Sequence, residues 1–163
     1  MKKYCLYIIG LLLGASSCEF SSKPSLPAFN MLLLDSTTVF NTINVPKGKP
    51  IVLFFFSPDC THCQKETEQI IKEKGIIENA SLVYISVDTL DKIRTFYNHY
   101  KMRQYPSIIM GKDYKYFIFQ YYKPPTTPFV VIYDKEKQLC ESFQGEIEPG
   151  KLVTAIKSHE RSN

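Results

Sequence analysis

The stretch Ile51-Val-Leu-Phe-Phe-Phe56 limits what this chain can fold into more than any other feature. Six consecutive apolar residues, five of them β-branched or aromatic, suit a strand covered on both faces, as a central parallel strand is. The run stops at Ser57-Pro58-Asp59. From Cys60 to Lys74 the residues are helix formers without Gly or Pro, and Gly75 is placed to act as a C-cap. The chain is thus expected to pass from buried strand to helix through a tight turn, with Cys60-Thr-His-Cys63 on the first helical turn.

The flanking segments extend this pattern. Met31–Leu34 and Val39–Val45 flank Asp35-Ser-Thr-Thr38 as an N-terminal hairpin, and Lys47-Gly-Lys-Pro50 makes a turn. Leu82–Val87 alternates as a second strand, and Asp88 or Thr89 can cap a helix running to about Tyr100. Phe129–Tyr133 is a further buried strand, followed by the charged turn Asp134–Lys137 and a pairing strand at Leu139–Phe143. Pro149 marks the start of a last helix ending near Ser158. Tyr105–Lys123 fits both periodicities, and a helix is expected over residues 113–121. Aromatic residues crowd between Phe96 and Tyr122, which suits core packing of an inserted element better than a peptide-binding surface.

Composition narrows the function classes. The 163 residues are 44% hydrophobic and 22% charged, as in one folded domain. The excess of 20 Lys and Arg over 16 Asp and Glu is spread along the chain, which argues against a dedicated nucleic-acid binder. Residues 1–17 have the layout of a secretory signal: Lys2 and Lys3, the apolar stretch Tyr4–Leu13, then small residues before Cys18. That stretch is too short to span a bilayer as a helix, which takes roughly 20 residues. Leu13-Gly-Ala-Ser-Ser-Cys18 resembles a bacterial lipoprotein signal, in which the Cys is lipidated and becomes the new N-terminus. Residues 18–26 then read as lipidated Cys and flexible tether, and residues 27–160 as the folded domain.

A domain of this size needs no disulfide staple, so its cysteines invite a chemical reading. Two thiols three residues apart at a helix start can come within the roughly 4.4–6.8 Å Cα separation of a disulfide. Cys60, nearer the helix terminus, lies where free amides and the dipole favour a thiolate, the attacking species in thiol-disulfide exchange. Cys63, one turn deeper, can attack Cys60 intramolecularly. His62 would lower the Cys60 pKa if its imidazolium lay beside the sulfur, whereas Asp59 would oppose it. Other uses of the motif stay open: half of a structural zinc site, for which Cys140, His99 and His159 are the remaining candidates; copper held by Cys60, His62 and Cys63; or a purely structural disulfide.

Strand Ile51–Phe56, the Ser-Pro-Asp turn, Cys60-Thr-His-Cys63 opening a helix, and Thr127-Pro128 before strand Phe129–Tyr133 together resemble the thioredoxin-fold proteins of the envelope-anchored, TlpA-like type. The resemblance runs from about Pro27 to His159. It implies an α/β fold: a thioredoxin-like three-layer sandwich with a central mixed sheet, an N-terminal hairpin, and an insertion between the Cys-x-x-Cys and a cis-proline at Pro128. It also implies a thiol-disulfide oxidoreductase in which Cys60 attacks, Cys63 resolves, His62 and Asp59 tune the redox poise, and Thr127 and Pro128 bind substrate backbone. No cofactor beyond the redox-active pair Cys60–Cys63 is expected, and no metal. Expected partners are extracytoplasmic Cys-containing proteins, a membrane or periplasmic electron donor or acceptor, and the membrane itself through lipidated Cys18 on the periplasmic side of the cell envelope. Three features depart from the family pattern: Asp59 replaces the usual Trp, Phe54 replaces thioredoxin's buried acid, and the central dipeptide is Thr-His. Cys140 is expected to be a packed, inert thiol, with a relay to Cys63 as the alternative.

Overall fold

The computed structural model describes residues 23–148 and 150–160. The signal and lipidation readings on residues 1–18, and Pro149, lie outside them. Among the described residues no helix is long and apolar enough to cross a membrane.

Seven strands of the described residues form one mixed sheet: β1 (Asn30–Leu33), β2 (Val39–Asn41), β3 (Ile51–Phe55), β4 (Ser81–Ser86), β5 (Ile108–Lys112), β6 (Phe129–Tyr133) and β7 (Leu139–Gln144). Their order across the sheet is β2-β1-β5-β4-β3-β6-β7, with β3, β4 and β5 parallel and the other pairings antiparallel. All five residues of β3 are buried. Alternation sends Val52 and Phe54 into one core, continued by Phe56, and Ile51, Leu53 and Phe55 into the other.

Among the described residues five α-helices accompany the sheet: α1 (Thr61–Lys72), α2 (Lys74–Asn79), α3 (Leu90–His99), α4 (Phe117–Tyr122) and α5 (Lys151–Glu160). From β3 to β4 to β5 the chain moves one place in the same direction each time. Right-handed crossovers must then put α1, α2 and α3 on one face. Cys63, Ile70, Ile76, Ile93 and Phe96 do share a core there, joined by Leu152 and Ile156 of α5. The opposite face is covered by α4 through Ile118 and by Phe29 and Val45 of the N-terminal region. The result is the thioredoxin-like three-layer α/β fold, with the hairpin β1–β2 at one edge.

Several local expectations change. The first helix ends at Lys72, and Glu73 (φ −88°, ψ 83°) breaks it, so Gly75 lies inside α2 instead of capping α1. Burial of Ile76 gives that second helix its reason to form. The second hairpin strand stops at Asn41 because Thr42 turns inward, its hydroxyl donating to Pro27 O (2.7 Å) and accepting from Phe29 N–H (3.0 Å). Residues 113–121 divide differently: β5 precedes them and α4 spans only Phe117–Tyr122, because Tyr116 and Lys123 adopt left-handed backbone at its two ends. Pro24 to Leu26, expected in the tether, already pair with residues 137–139.

Candidate active site

β3 delivers the chain to the sheet's carboxyl edge, where Phe56 N–H donates to Ile85 O (3.0 Å). The turn that follows is closed by Cys60 N–H on Ser57 O (3.1 Å) and by the Gln64 side-chain amide on Pro58 O (2.9 Å). Cys60 itself is the N-cap of α1. Its extended backbone (φ −80°, ψ 112°) directs Sγ back over the first turn, where it accepts from Cys63 N–H at 3.2 Å. A cap side chain normally supplies an oxygen to the free amides of a helix start; here a sulfur takes that place, and such a site favours its anion. Asp59, the residue before Cys60, pairs with Lys92 of α3.

Across from α1, Thr127-Pro128 is a cis peptide, and Thr127 O lies 3.6 Å from Cys60 Sγ. The strand-turn-helix and the 127–128 turn therefore meet at one sulfur. Both cysteines are free thiols, Cys60 half-buried and Cys63 buried. Burial alone would raise the Cys60 pKa, but hydrogen bonds from the Cys63 thiol and amide, the Thr127 contact and the His62 amide bring it below the ordinary thiol value. For Cys63, burial dominates and, with the neighbouring Cys60 sulfur, pushes the thiol up to about 12. The outer sulfur thus favours its thiolate and the inner one its thiol.

The ring of His62 does not turn to Cys60. Its Nδ1–H donates to Glu146 Oε2 at 2.8 Å, both side chains being about half exposed. Copper coordination by Cys60, His62 and Cys63 would need the three side chains to converge; among the described residues no three His, Cys, Asp or Glu side chains do so.

Glu66 was missed by the sequence reading. It sits three residues after Cys63 on the same face of α1, is 2% exposed, and accepts Ile147 N–H at Oε2 (3.2 Å). Burial raises its pKa, as does the negative charge of Glu146. Tyr84, whose hydroxyl burial pushes upward, feels both Glu66 and Cys63. In its ionised form a carboxyl on the same helix face as a buried thiol can take up that thiol's proton. The signal was present as an acidic residue on the apolar i, i+3 face, but it looked like one of many charged helix residues.

Cys140 lies elsewhere. Leu139 pairs with Tyr133, which pairs with Ile51 at the start of β3, whereas Cys60 follows the end of that strand. Roughly 15 Å of strand separates the two ends, so no direct relay to Cys63 is built. Burial raises the Cys140 thiol, which donates to Gln138 O (3.5 Å). A groove of about 550 Å³ opens beside the Pro58–Asp59 turn, between α1 and α3, with Gln64, Phe96 and Tyr100 in its wall. On the other sheet face, Phe117 stacks on Phe29, while Tyr116, Phe119 and Tyr121 stay exposed.

A sequence profile described as the AhpC/TSA family matches residues 24–160. No curated protein sequence matches significantly. Among solved structures, a candidate thioredoxin of Neisseria meningitidis is similar at 22% identity and a TM-score of 0.70, over 87% of this chain and 93% of that one. A secreted Mycobacterium tuberculosis disulfide oxidoreductase, described as homologous to E. coli DsbE, aligns at 19% identity and a TM-score of 0.66, over 80% and 95% of the two chains. DsbF of the same organism gives 19% identity and a TM-score of 0.67, over 80% and 93%.

Proposed function

This chain belongs to the AhpC/TSA family, and we propose that within it the protein is a thiol-disulfide oxidoreductase, anchored to the cell envelope through lipidated Cys18 and acting as a reductase of extracytoplasmic proteins. The observation that carries the reading is the Cys60 sulfur, cap of α1, with its pKa lowered while that of Cys63 behind it is raised. The Cys60 thiolate attacks a partner disulfide, forming a mixed disulfide and releasing one partner sulfur as a thiolate that takes up a proton. Cys63 then gives its proton to Glu66 and attacks Cys60 Sγ. The second partner sulfur leaves, and two electrons have passed to the partner. A membrane or periplasmic thiol donor restores the dithiol. Thr127, beside Pro128 and facing Cys60, lies where partner backbone would be received. The reductase direction is supported by the His62 ring, which is held on Glu146 instead of beside the sulfur.

Replacing Cys63 with Ala should trap mixed disulfides through Cys60 with envelope proteins. Absence of any trapped species, under conditions where a control oxidoreductase is trapped, refutes the activity. Cys18→Ser should release the protein from the membrane fraction; unchanged membrane association refutes the anchor.

A further inference from the structure

Three consecutive residues after β7 each hold a different part of the site. Gly145 N–H donates to Pro128 O (2.8 Å), Glu146 Oε2 accepts from the His62 ring (2.8 Å), and Ile147 N–H donates to Glu66 Oε2 (3.2 Å). The first and third contacts fix the segment. Gly145 has φ +74°, a left-handed conformation open to Gly at little cost, and Ile147 is buried in the helix-side core. Glu146 is therefore presented at a set position by its neighbours, while His62, on the exposed rim of the first turn of α1, has freedom to choose where its ring lies. The imidazole has two possible anions within reach of that turn, the Cys60 thiolate and the Glu146 carboxylate, and it is bound to the carboxylate. The contribution of His62 to the Cys60 sulfur comes through its backbone N–H.

We propose that Glu146 is a positioning residue that keeps the His62 imidazole off the Cys60 sulfur and offsets its charge, thereby limiting how far the thiolate is stabilised. This rests on the proposed exchange at Cys60. A Cys-x-His-Cys motif left to itself would give the thiolate a cationic neighbour and move the pair towards oxidant behaviour; the carboxylate from the β7–α5 connection counters that tendency. Two other charged groups line the same surface hollow, Glu148 and Lys151. Lys151 lies over the Phe143 ring at 5.1 Å, and Glu66 faces the segment from α1.

The test reads the Cys60 thiolate by its iodoacetamide rate in the full-length reduced protein at pH 6, where free imidazoles carry charge, followed peptide by peptide in 0.15 M salt. Glu146→Gln removes the opposing carboxylate and should raise the Cys60 rate about threefold, the order expected of one unit charge moved near a partly solvated sulfur. His62→Gln leaves the carboxylate unbalanced and should lower the rate by a similar factor, and the double variant should return near the wild-type value. A segment that merely braces the fold would shift both single variants the same way, or neither. Either result overturns the assignment, as does a Glu146→Gln rate within 1.5-fold of wild type. If wild-type Cys60 reacts no faster than Cys63, the exchange reading fails as well, and this inference with it.

Discussion

The opposed environments of the two cysteines set a quantitative expectation for their alkylation. Cys63 is pushed up to about 12, so at pH 8 its thiolate fraction is about 10⁻⁴. Cys60 lies below the ordinary 9.0, so its fraction is at least about one tenth. The population ratio is then at least about 10³. A more basic thiolate is intrinsically more nucleophilic, with a Brønsted slope of about 0.4–0.5, which returns up to about 30-fold to Cys63. The net expectation is that Cys60 reacts at least about 30-fold faster, before the full burial of Cys63 slows it further. Brief treatment of the reduced protein with iodoacetamide at pH 8, followed by peptide mass analysis, measures both rates in one sample. Because burial is the leading influence on Cys63 and the Cys60 sulfur the lesser one, Cys60→Ser should accelerate Cys63 by less than about tenfold. Rates within threefold of each other in the wild type would refute the assignment of attacking and buried thiols. A large acceleration in Cys60→Ser would show that charge, not burial, sets the inner thiol.

Glu66→Gln keeps an oxygen for Ile147 N–H but cannot accept the Cys63 proton, so release of a trapped partner should slow about 100-fold; an unchanged single-turnover rate excludes Glu66 as the acceptor. The same substitution tests linkage. A carboxyl whose folded pKa is raised contributes stability below its unfolded value and loses it as pH rises through the folded value. Urea midpoints should therefore fall between pH 4 and pH 8 more steeply in wild type than in Glu66→Gln. Asp35 has the opposite sign: hydrogen bonds from the Thr38 hydroxyl and amide and from the Thr37 amide lower it to about 2, so the stability it adds is lost as pH falls from about 4 towards 2. Asp35→Asn should flatten that acid limb in thermal melts. Gly111→Ala would place a Cβ 2.7 Å from Leu32 O in the adjacent strand β1 and 2.7 Å from Met31 Cε, and should cost about 2 kcal/mol in denaturant unfolding. A loss below about 0.5 kcal/mol would show that β1 can move away from β5.

What could be read from the chain depended on whether the cause was local. β3, the turn after it, Cys60 and Cys63 at the start of α1, and the Thr127-Pro128 pair before β6 are each declared by a few adjacent residues, and the structure places them together. β5 was not declared: Ile108-Ile-Met-Gly-Lys112 is half of one strand pattern and half of a turn pattern, and it is a strand because β4 and β1 supply partners on both sides. Gly111 looks like a breaker in sequence, yet it is required there because the β1 backbone passes close by. Electrostatics at the site were the least legible. His62 and Asp59 were read against Cys60 because they are its neighbours in sequence, but their charged partners, Glu146 and Lys92, come from 84 and 33 residues away. A side chain's charge acts on whatever the fold puts beside it. In this chain the anion that meets the His62 imidazole is Glu146, a partner the dipeptide alone could not announce.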